Sequence, residues 1–327
     1  MSAIRCIASA VVAALLLMPA GTAAQAPAPY PSRTVFLVVP FPAGGPTDII
    51  ARIVAGALQQ SLGQNVVVDN RAGAGGNPGM AYVARANPDG YTLLFTSTAI
   101  AVNPGLHASL PYDPIKDFAP ISEIVNAPNV LFVRPDSGIT SIADLVAKAK
   151  AEPDKYNYAS PGVGTKSHLT GELLKLRAGI NIQHIPYRGG GPATQALVAG
   201  TVHVGSVALA PVEPLIKAGT VKALAVTGAT RWYSLPEVPT MIESGFPGFV
   251  SDTFNAMFAP AGTPPEIVAL LVRQVRAAMQ RPEAAEAARK YGYQIVAGTP
   301  EELRTRLIAE IQGVKELVAK AGIKPQN

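Results

Sequence analysis

Two glycine-rich segments contain the residues whose types and spacing best suit the binding of a small anion. The first is PFPAGGPTD, residues 40–48, and the second is SPGVGTKSHLTGE, residues 160–172. Each follows a short apolar run and precedes an amphipathic pattern, which predicts a strand leading into the start of a helix. The first amides of a helix have no intrahelical acceptor, and the helix dipole places partial positive charge there. The two segments therefore predict two cradles for a carboxylate.

In the first segment, Gly44 and Gly45 allow the backbone to approach a ligand closely. Ala43, Thr47 and Asp48 flank them and complete the candidate contacts on this side. An ordinary Gly-Pro turn, in which Thr47 or Asp48 caps the following helix, accounts for the same pattern. The segment by itself leaves both interpretations open.

The second segment adds hydroxyl groups to its glycines, and hydroxyls donate hydrogen bonds to carboxylate oxygens. Its candidate ligand-binding residues are Ser160, Gly162, Gly164, Thr165, Ser167 and His168. Two further loops, TSTAIAVNP (96–104) and IPYRGGGPA (185–193), also follow predicted strands. Loops at the carboxyl ends of parallel strands meet at one edge of a sheet, so Ser97 and Tyr187 become candidates for the same site.

Patterns for other chemistry are incomplete. A phosphate-binding loop needs Gly directly before Lys, and here Thr165 intervenes; the glycines of residues 69–79 have the wrong spacing for a dinucleotide fold. His168 and Glu172 have the spacing of a metal pair, but no further His or Cys stands near them. The chain has no GxSxG motif, and its one cysteine is Cys6. We expect no catalytic residue, no metal, no cofactor and no enzymatic activity.

The elements that position these loops alternate between strand and helix, which predicts parallel βαβ units. In the first part of the chain the predicted strands are 35–39, 66–69 and 92–96, and the predicted helices are 47–62 and 79–86. In the second part the predicted strands are 156–159, 182–186, 202–207 and 221–226, and the predicted helices are 141–150, 167–177, 192–199 and 212–218. Between the two parts, residues 121–133 form an extended segment that we expect to be broken at 126–129.

The C-terminal part predicts a strand at 254–258, a helix at 265–280 and a last helix after a Thr299–Glu302 capping box. These helices are too few for a third domain, so we expect them to pack on the first. The predicted fold is α/β, with two doubly wound domains joined by two crossing strands. Domain 1 comprises residues 30–126 plus 250–327, and domain 2 comprises residues 127–249.

The N-terminus has the layout of a secretory signal: Arg5, an apolar run at 7–18, and small residues up to an expected cleavage after Ala24. A run of about twelve residues is short of the roughly twenty that span a bilayer, so no direct membrane insertion is expected. The formal net charge of +5 is scattered along the 327 residues, which argues against nucleic acid as a partner. We expect a periplasmic monomer.

The order of these motifs resembles the Bug/TctC family, the periplasmic solute receptors of tripartite tricarboxylate transporters. The resemblance covers nearly the whole chain and includes PFPAGGPTD, DNRAGAGGNPG, NPDGYTLLF, IPYRGGGPA, IKAGTVKALAVTG, LPEVPT and APAGTPPEIV. It implies a type II periplasmic binding protein that holds a ligand carboxylate between two Gly-rich loops. The implied partners are a small carboxylate ligand and the membrane permease subunits of the transporter. A periplasmic sensing subunit for a signalling receptor is the alternative.

The chain departs from the family pattern after Gly200, where His203 and Val207 occupy positions that are acidic in many members. The loss of these acids suggests a pocket that is less suited to an amino group. From this difference we hypothesise a mono- or dicarboxylate ligand that is not an amino acid.

Overall fold

The computed structural model describes residues 30–323, so the predicted signal peptide at 1–24 lies outside the described residues. The first part of the chain alternates strand and helix as predicted. Its elements are β1 (Val35–Val39), α1 (Pro46–Leu62), β2 (Val66–Asn70), α2 (Asn77–Ala84), β3 (Thr92–Ser97), α3 (Ala99–Leu106) and β4 (Phe118–Val133). The α3 helix is not predicted from the sequence, because Pro104 interrupts its pattern and Pro typically marks a helix boundary.

The middle of the chain repeats the alternation. Its elements are α4 (Ile142–Ala151), β5 (Asn157–Ser160), α5 (Lys166–Ala178), β6 (Gln183–Pro186), α6 (Gly190–Val198), β7 (Val204–Ala208), α7 (Glu213–Lys217) and β8 (Lys222–Val226). The C-terminal part contains β9 (Asp252–Pro260), α8 (Pro265–Met279), α9 (Pro282–Lys290), β10 (Gln294–Ile295) and α10 (Pro300–Lys320). Within residues 30–323 no helix has the length and apolar character needed to cross a bilayer.

The strands form one continuous sheet in the order β2-β1-β3-β9-β4-β7-β5-β6, and β8 and β10 also pair with β4. The β1, β2 and β3 strands are parallel to one another, as are β5, β6 and β7. Separate apolar cores cover the two portions: Phe258 and Leu303 belong to one, and Tyr158 and Phe249 to another. Such parallel sets place their connecting loops at the carboxyl ends of the strands.

The predicted break at residues 126–129 is wrong, because β4 runs without interruption from Phe118 to Val133. Its first two thirds pair with β9 as far as Pro128, and its last third pairs with β7 from Asn129 onward. Asn126 also pairs with Gln294 of β10. Pairing on both sides satisfies the backbone of these polar residues, and this tertiary effect outweighs their low strand propensity. The same strand therefore contributes to both portions of the sheet.

Helix ends follow local rules with small differences. The Thr299–Glu302 capping box is confirmed. At α4, Ser141 accepts from the Asp144 amide, whereas the Asp144 carboxylate accepts from Thr140 N instead of closing a box on Ser141. The C-terminal helices pack on the first part of the chain, α8 against α1 and α10 against α3. The predicted residue boundaries of the two domains remain a prediction.

Candidate functional site

A cavity of about 1120 Å³ lies where the loops after β1, β3, β5 and β7 meet the segment that joins α9 to β10. The predicted residues that line it are Gly45, Thr47, Ser97, Gly164, Thr165 and Ser167. The predicted residues that lie outside the lining are Ala43, Gly44, Asp48, Ser160, Gly162, His168 and Tyr187. The two Gly-rich segments thus border one cavity. Several of their polar side chains form hydrogen bonds within the protein instead of lining it.

Asp48 holds the first segment in shape. Its carboxylate is 1% exposed and accepts hydrogen bonds from Gly44 N at 2.8 Å, Arg52 Nε at 2.9 Å and Asn70 Nδ2 at 2.9 Å. Burial alone raises the pKa of Asp48, but these hydrogen bonds and the Arg52 charge outweigh it and hold the pKa below its ordinary value. The cap of α1 is Gly45, followed by Pro46, so neither Thr47 nor Asp48 caps the helix.

Thr47 presents hydrogen-bond donors to the cavity. Asn255, which is fully buried, donates from Nδ2 to Thr47 Oγ1 at 3.0 Å. This hydrogen bond holds the Thr47 hydroxyl beside the cavity. Among the described residues, the amides of Thr47 and Asp48 donate to no protein acceptor, as expected for the first turn of a helix. This wall of the cavity suits an anion.

The second segment uses most of its hydroxyls to hold its own loop. Thr165 Oγ1 accepts from His168 N at 3.2 Å and donates to Gly162 O at 2.8 Å. Gly164 N donates to His168 Nδ1 at 3.2 Å, and Ser160 Oγ hydrogen-bonds His184 Nε2 at 2.7 Å. His168 and Ser160 therefore support the loop from behind, and Gly164 and Thr165 form its cavity face.

A buried aromatic and acidic cluster lies beneath this loop. Tyr158 donates to Glu172 Oε1 at 2.7 Å and stacks on His184, with ring centroids 4.8 Å apart. The His168 and His184 rings are 4.1 Å apart. Burial, followed by the effects of His168 and Lys175, lowers the pKa of His184 to about 3. Burial also lowers the pKa of His168, although Glu172 opposes the shift. Both rings are thus kept neutral in the folded protein.

These lowered values predict acid sensitivity. Both histidines regain a pKa near 6.5 on unfolding, so the unfolded chain binds more protons below that pH. Their contribution to stability is present above pH 6.5 and is lost as the pH falls toward about 3. In urea unfolding from pH 7 to 4, the free energy of unfolding should fall less steeply for His184→Gln than for the unmodified protein. Free energies of unfolding that fall equally steeply with pH for both proteins over that range would contradict the lowered pKa of His184.

Asn129 is a site residue that sequence analysis did not identify. It lines the cavity from β4, is 1% exposed, and its Oδ1 accepts from Ser167 Oγ at 2.7 Å. Its Nδ2 donates to Ser251 O at 2.7 Å, next to the start of β9. No local pattern could have revealed it, because its partners lie 38 and 122 residues away in the sequence.

Basic residues stand at two places in the lining. Lys166, the first residue of α5, forms an ion pair with Glu310, and burial is the main effect that lowers its pKa to about 8. The lining also includes Arg289 and Lys290, for which the described residues provide no ion-pair partner, and Lys217, whose Nζ is 2.6 Å from Glu213 Oε1. The cavity lining therefore includes a group of basic side chains on the segment that joins α9 to β10.

His203 and Val207 do not line the cavity. His203 hydrogen-bonds Asn157 and packs on Tyr156, and Val207 is fully buried in the core. The hypothesis that their side chains select against an amine therefore gains no support from their positions. Across residues 30–323, no three His, Cys, Asp or Glu side chains converge as metal ligands.

Two βα portions that share a sheet, with a cavity between their loops, define a two-lobed periplasmic binding protein, and solved structures confirm this fold class. Residues 50–323 match the family model "Tripartite tricarboxylate transporter family receptor" (TctC). The chain belongs to this family of solute-binding receptors, as its motifs predicted. Protein BugT of Bordetella pertussis is 40% identical over 316 residues, which cover 96% of this chain and 97% of BugT.

Two similar solved structures contain ligands. R. palustris Rpa4515 with adipate is 37% identical with a TM-score of 0.76, covering 91% of this chain and 100% of that one. MatC (Rpa3494) from Rhodopseudomonas palustris with bound malate is 32% identical with a TM-score of 0.72, covering 88% of this chain and 100% of that one.

Proposed function

We propose that the protein captures a small carboxylate in this cavity and delivers it to the permease subunits of a tripartite transporter. The observation that carries the proposal is the start of α1 beside the cavity, where the amides of Thr47 and Asp48 lack protein acceptors among the described residues. A carboxylate gains about 0.3 to 2 kcal/mol from a helix N-terminus. Each hydrogen bond to it adds roughly 1.5 to 3 kcal/mol before desolvation and ordering costs.

The basic residues of the cavity lining favour a second acidic group. Arg289 and Lys290 can supply positive charge to the cavity, and apolar side chains such as Ile49, Leu106 and Val163 also line it. A ligand with carboxylates at both ends and an aliphatic middle would match this distribution. The two ligand-bound relatives, with adipate and with malate, are consistent with it.

An amino acid is the less favoured solute. Arg289 and Lys290 line the cavity without an ion-pair partner among the described residues, and their positive charges would repel a ligand ammonium. Glu213 is the acidic residue of the lining, and it is already paired with Lys217 at 2.6 Å. Discrimination against amines is therefore assigned to Arg289 and Lys290 instead of to His203 and Val207.

Capture follows from contacts to both lobes. A ligand held by Thr47 on one side and by the α5 loop on the other has higher affinity for the closed state, which shifts the population toward closure. Export through the predicted signal at 1–24 would place this event in the periplasm. The closed form would then be recognised by the permease.

A thermal-shift panel of monocarboxylates, dicarboxylates including adipate and malate, and amino acids tests the proposal. Dicarboxylates should raise the melting temperature most. Arg289→Gln should weaken the binding of dicarboxylates about tenfold and leave the binding of monocarboxylates unchanged. Arg273→Gln, at an exposed position of α8, should change the binding of neither class. A panel in which only amino acids stabilise the protein would refute it. Uptake of the bound acid by a strain lacking the protein separates transport from sensing, since only a transport receptor is needed for uptake.

A further inference from the structure

Tyr293 lines the cavity, and its hydroxyl has no hydrogen-bond partner among the described residues. We propose that Tyr293 is a specificity-determining residue whose hydroxyl donates a hydrogen bond to a second carboxylate of the ligand. This inference rests on the proposed function and deepens it, because it names a residue that distinguishes dicarboxylates from monocarboxylates.

Tyr293 lies where β10 meets β4. It directly precedes Gln294 of β10, which pairs with Asn126 of β4. In this antiparallel register the next residue of β4, Ala127, lies beside Tyr293 and also lines the cavity. The Tyr293 amide donates to Ala288 O at 3.0 Å, at the end of α9. Hydrogen bonds on either side of the phenol therefore fix its backbone next to the cavity.

The phenol ring is buried, but its oxygen is accessible. Tyr293 is 8% exposed, and burial raises its pKa to about 12, so the hydroxyl keeps its hydrogen at neutral pH. Within the described part of the chain, the fully buried side-chain atoms without a partner are Thr96 Oγ1, Trp232 Nε1, Ser234 Oγ and Asn255 Oδ1. Tyr293 Oη also lacks a partner but is not enclosed in this way, and it therefore faces the cavity with a hydrogen to give.

Packing alone does not account for this hydroxyl. A phenylalanine ring would fill the same space, whereas a buried hydroxyl without a partner costs roughly 1 to 3 kcal/mol of desolvation. The great majority of buried polar groups in proteins have a partner. We therefore expect the missing acceptor to come from the ligand.

A second carboxylate is the acceptor that suits this position. An ionised carboxylate only accepts hydrogen bonds, and a hydrogen bond to it is stronger than one to a neutral group. Arg289, four residues earlier, lines the cavity without an ion-pair partner among the described residues and adds positive charge. The first carboxylate has its own donors, the unpartnered amides at two helix starts: Thr47 and Asp48 of α1, and Lys166 and Ser167 of α5.

The experiment uses calorimetry at pH 7 with acids of equal length that differ by one carboxylate: adipate with hexanoate, and succinate with butanoate. The dicarboxylate of at least one pair should bind at least about tenfold more tightly to the unmodified protein. Tyr293→Phe should weaken that dicarboxylate about tenfold and change the affinity for the monocarboxylate by less than about twofold. Tyr82→Phe is the control and should change neither affinity, because Tyr82 is 43% exposed and does not line the cavity.

A spectroscopic readout separates a direct contact from a change of packing. A phenol that donates to a carboxylate absorbs at longer wavelength in the near ultraviolet. Binding of the dicarboxylate should therefore produce this shift in the unmodified protein and in Tyr82→Phe, but not in Tyr293→Phe. Thermal melting of each variant establishes that it is folded.

The outcomes also separate this inference from the proposed function. If Tyr293→Phe binds both acids of each pair as the unmodified protein does, water satisfies the hydroxyl, the inference is overturned and carboxylate capture stands. If dicarboxylates have no advantage over monocarboxylates in the unmodified protein, the second acceptor is absent and carboxylate capture again stands. If no carboxylate binds, both fail.

Discussion

Arg306→Gln is expected to lower the free energy of unfolding by about 3 kcal/mol, because it leaves two buried carboxylates without their partner. Arg306 Nη1 lies 2.6 Å from Glu123 Oε1 of β4, and its Nη2 pairs with Asp252 of β9. The carboxylate side chains are 8% and 9% exposed, and that of Arg306 is 24% exposed. Urea unfolding at pH 8 measures the loss. Arg304→Gln, at an exposed position on the same helix, should change stability by less than about 0.5 kcal/mol.

The loss should also depend on pH in a defined direction. Burial raises the pKa of Glu123, and Arg306 opposes that shift. Without Arg306 the folded-state pKa of Glu123 rises further above 4.5. The variant therefore loses stability once the pH exceeds 4.5, and it regains stability at lower pH as Glu123 takes up a proton. The difference from the unmodified protein should be smaller at pH 5 than at pH 8. An equal difference at both would show that packing, and not the charge of Glu123, dominates.

Gly164→Val is expected to reduce affinity at least 100-fold for whichever acid gives the largest thermal shift. Gly164 has a φ of +80°, a conformation that branched side chains rarely adopt, and it lines the cavity. A Cβ there would lie 2.7 Å from Leu106 Cδ1, and Leu106 also lines the cavity. The substitution would distort the loop and occupy the space where the ligand is expected. Calorimetry measures the effect.

Gly179→Val provides the matched control. Gly179 caps the other end of the same helix with a φ of +61°, and nothing lies within 4 Å of an added Cβ. It has the same backbone strain without the cavity contact, so stability should fall and affinity should stay within threefold. Similar losses of affinity in both variants would mean that the strain of α5, and not the position of Gly164, controls binding.

Features that depend on neighbours in sequence could be predicted from sequence. The Thr299–Glu302 capping box involves residues three positions apart, and the two Gly-rich loops follow directly from strands that precede helices. The same local reasoning was wrong at residues 126–129, where Asn and Pro suggested a break. There the pairing of β4 with β9, β10 and β7 determines the structure, and those strands are distant in sequence.

The hydrogen-bond partners of the site could not be predicted from sequence for the same reason. Thr47 and Ser167 look equivalent as hydroxyl residues at helix starts. Their surroundings differ because Thr47 is hydrogen-bonded to Asn255 and Ser167 to Asn129, across 208 and 38 residues respectively. The sequence offers no signal for either asparagine, since a buried amide matters only once its neighbours are known.

The pairing of β4 with β9 bears on how such a receptor can diversify. If the two crossings near residues 126 and 250 are the hinge, they form a single hydrogen-bonded ribbon, paired from Phe118–Pro260 to Pro128–Asp252. A ribbon bends far more readily across its plane than within it, so we expect opening to follow essentially one coordinate. The groups that would contact the ligand project from loops beside this ribbon. Substitutions in those loops could therefore change which ligand is bound without changing how the protein opens and closes.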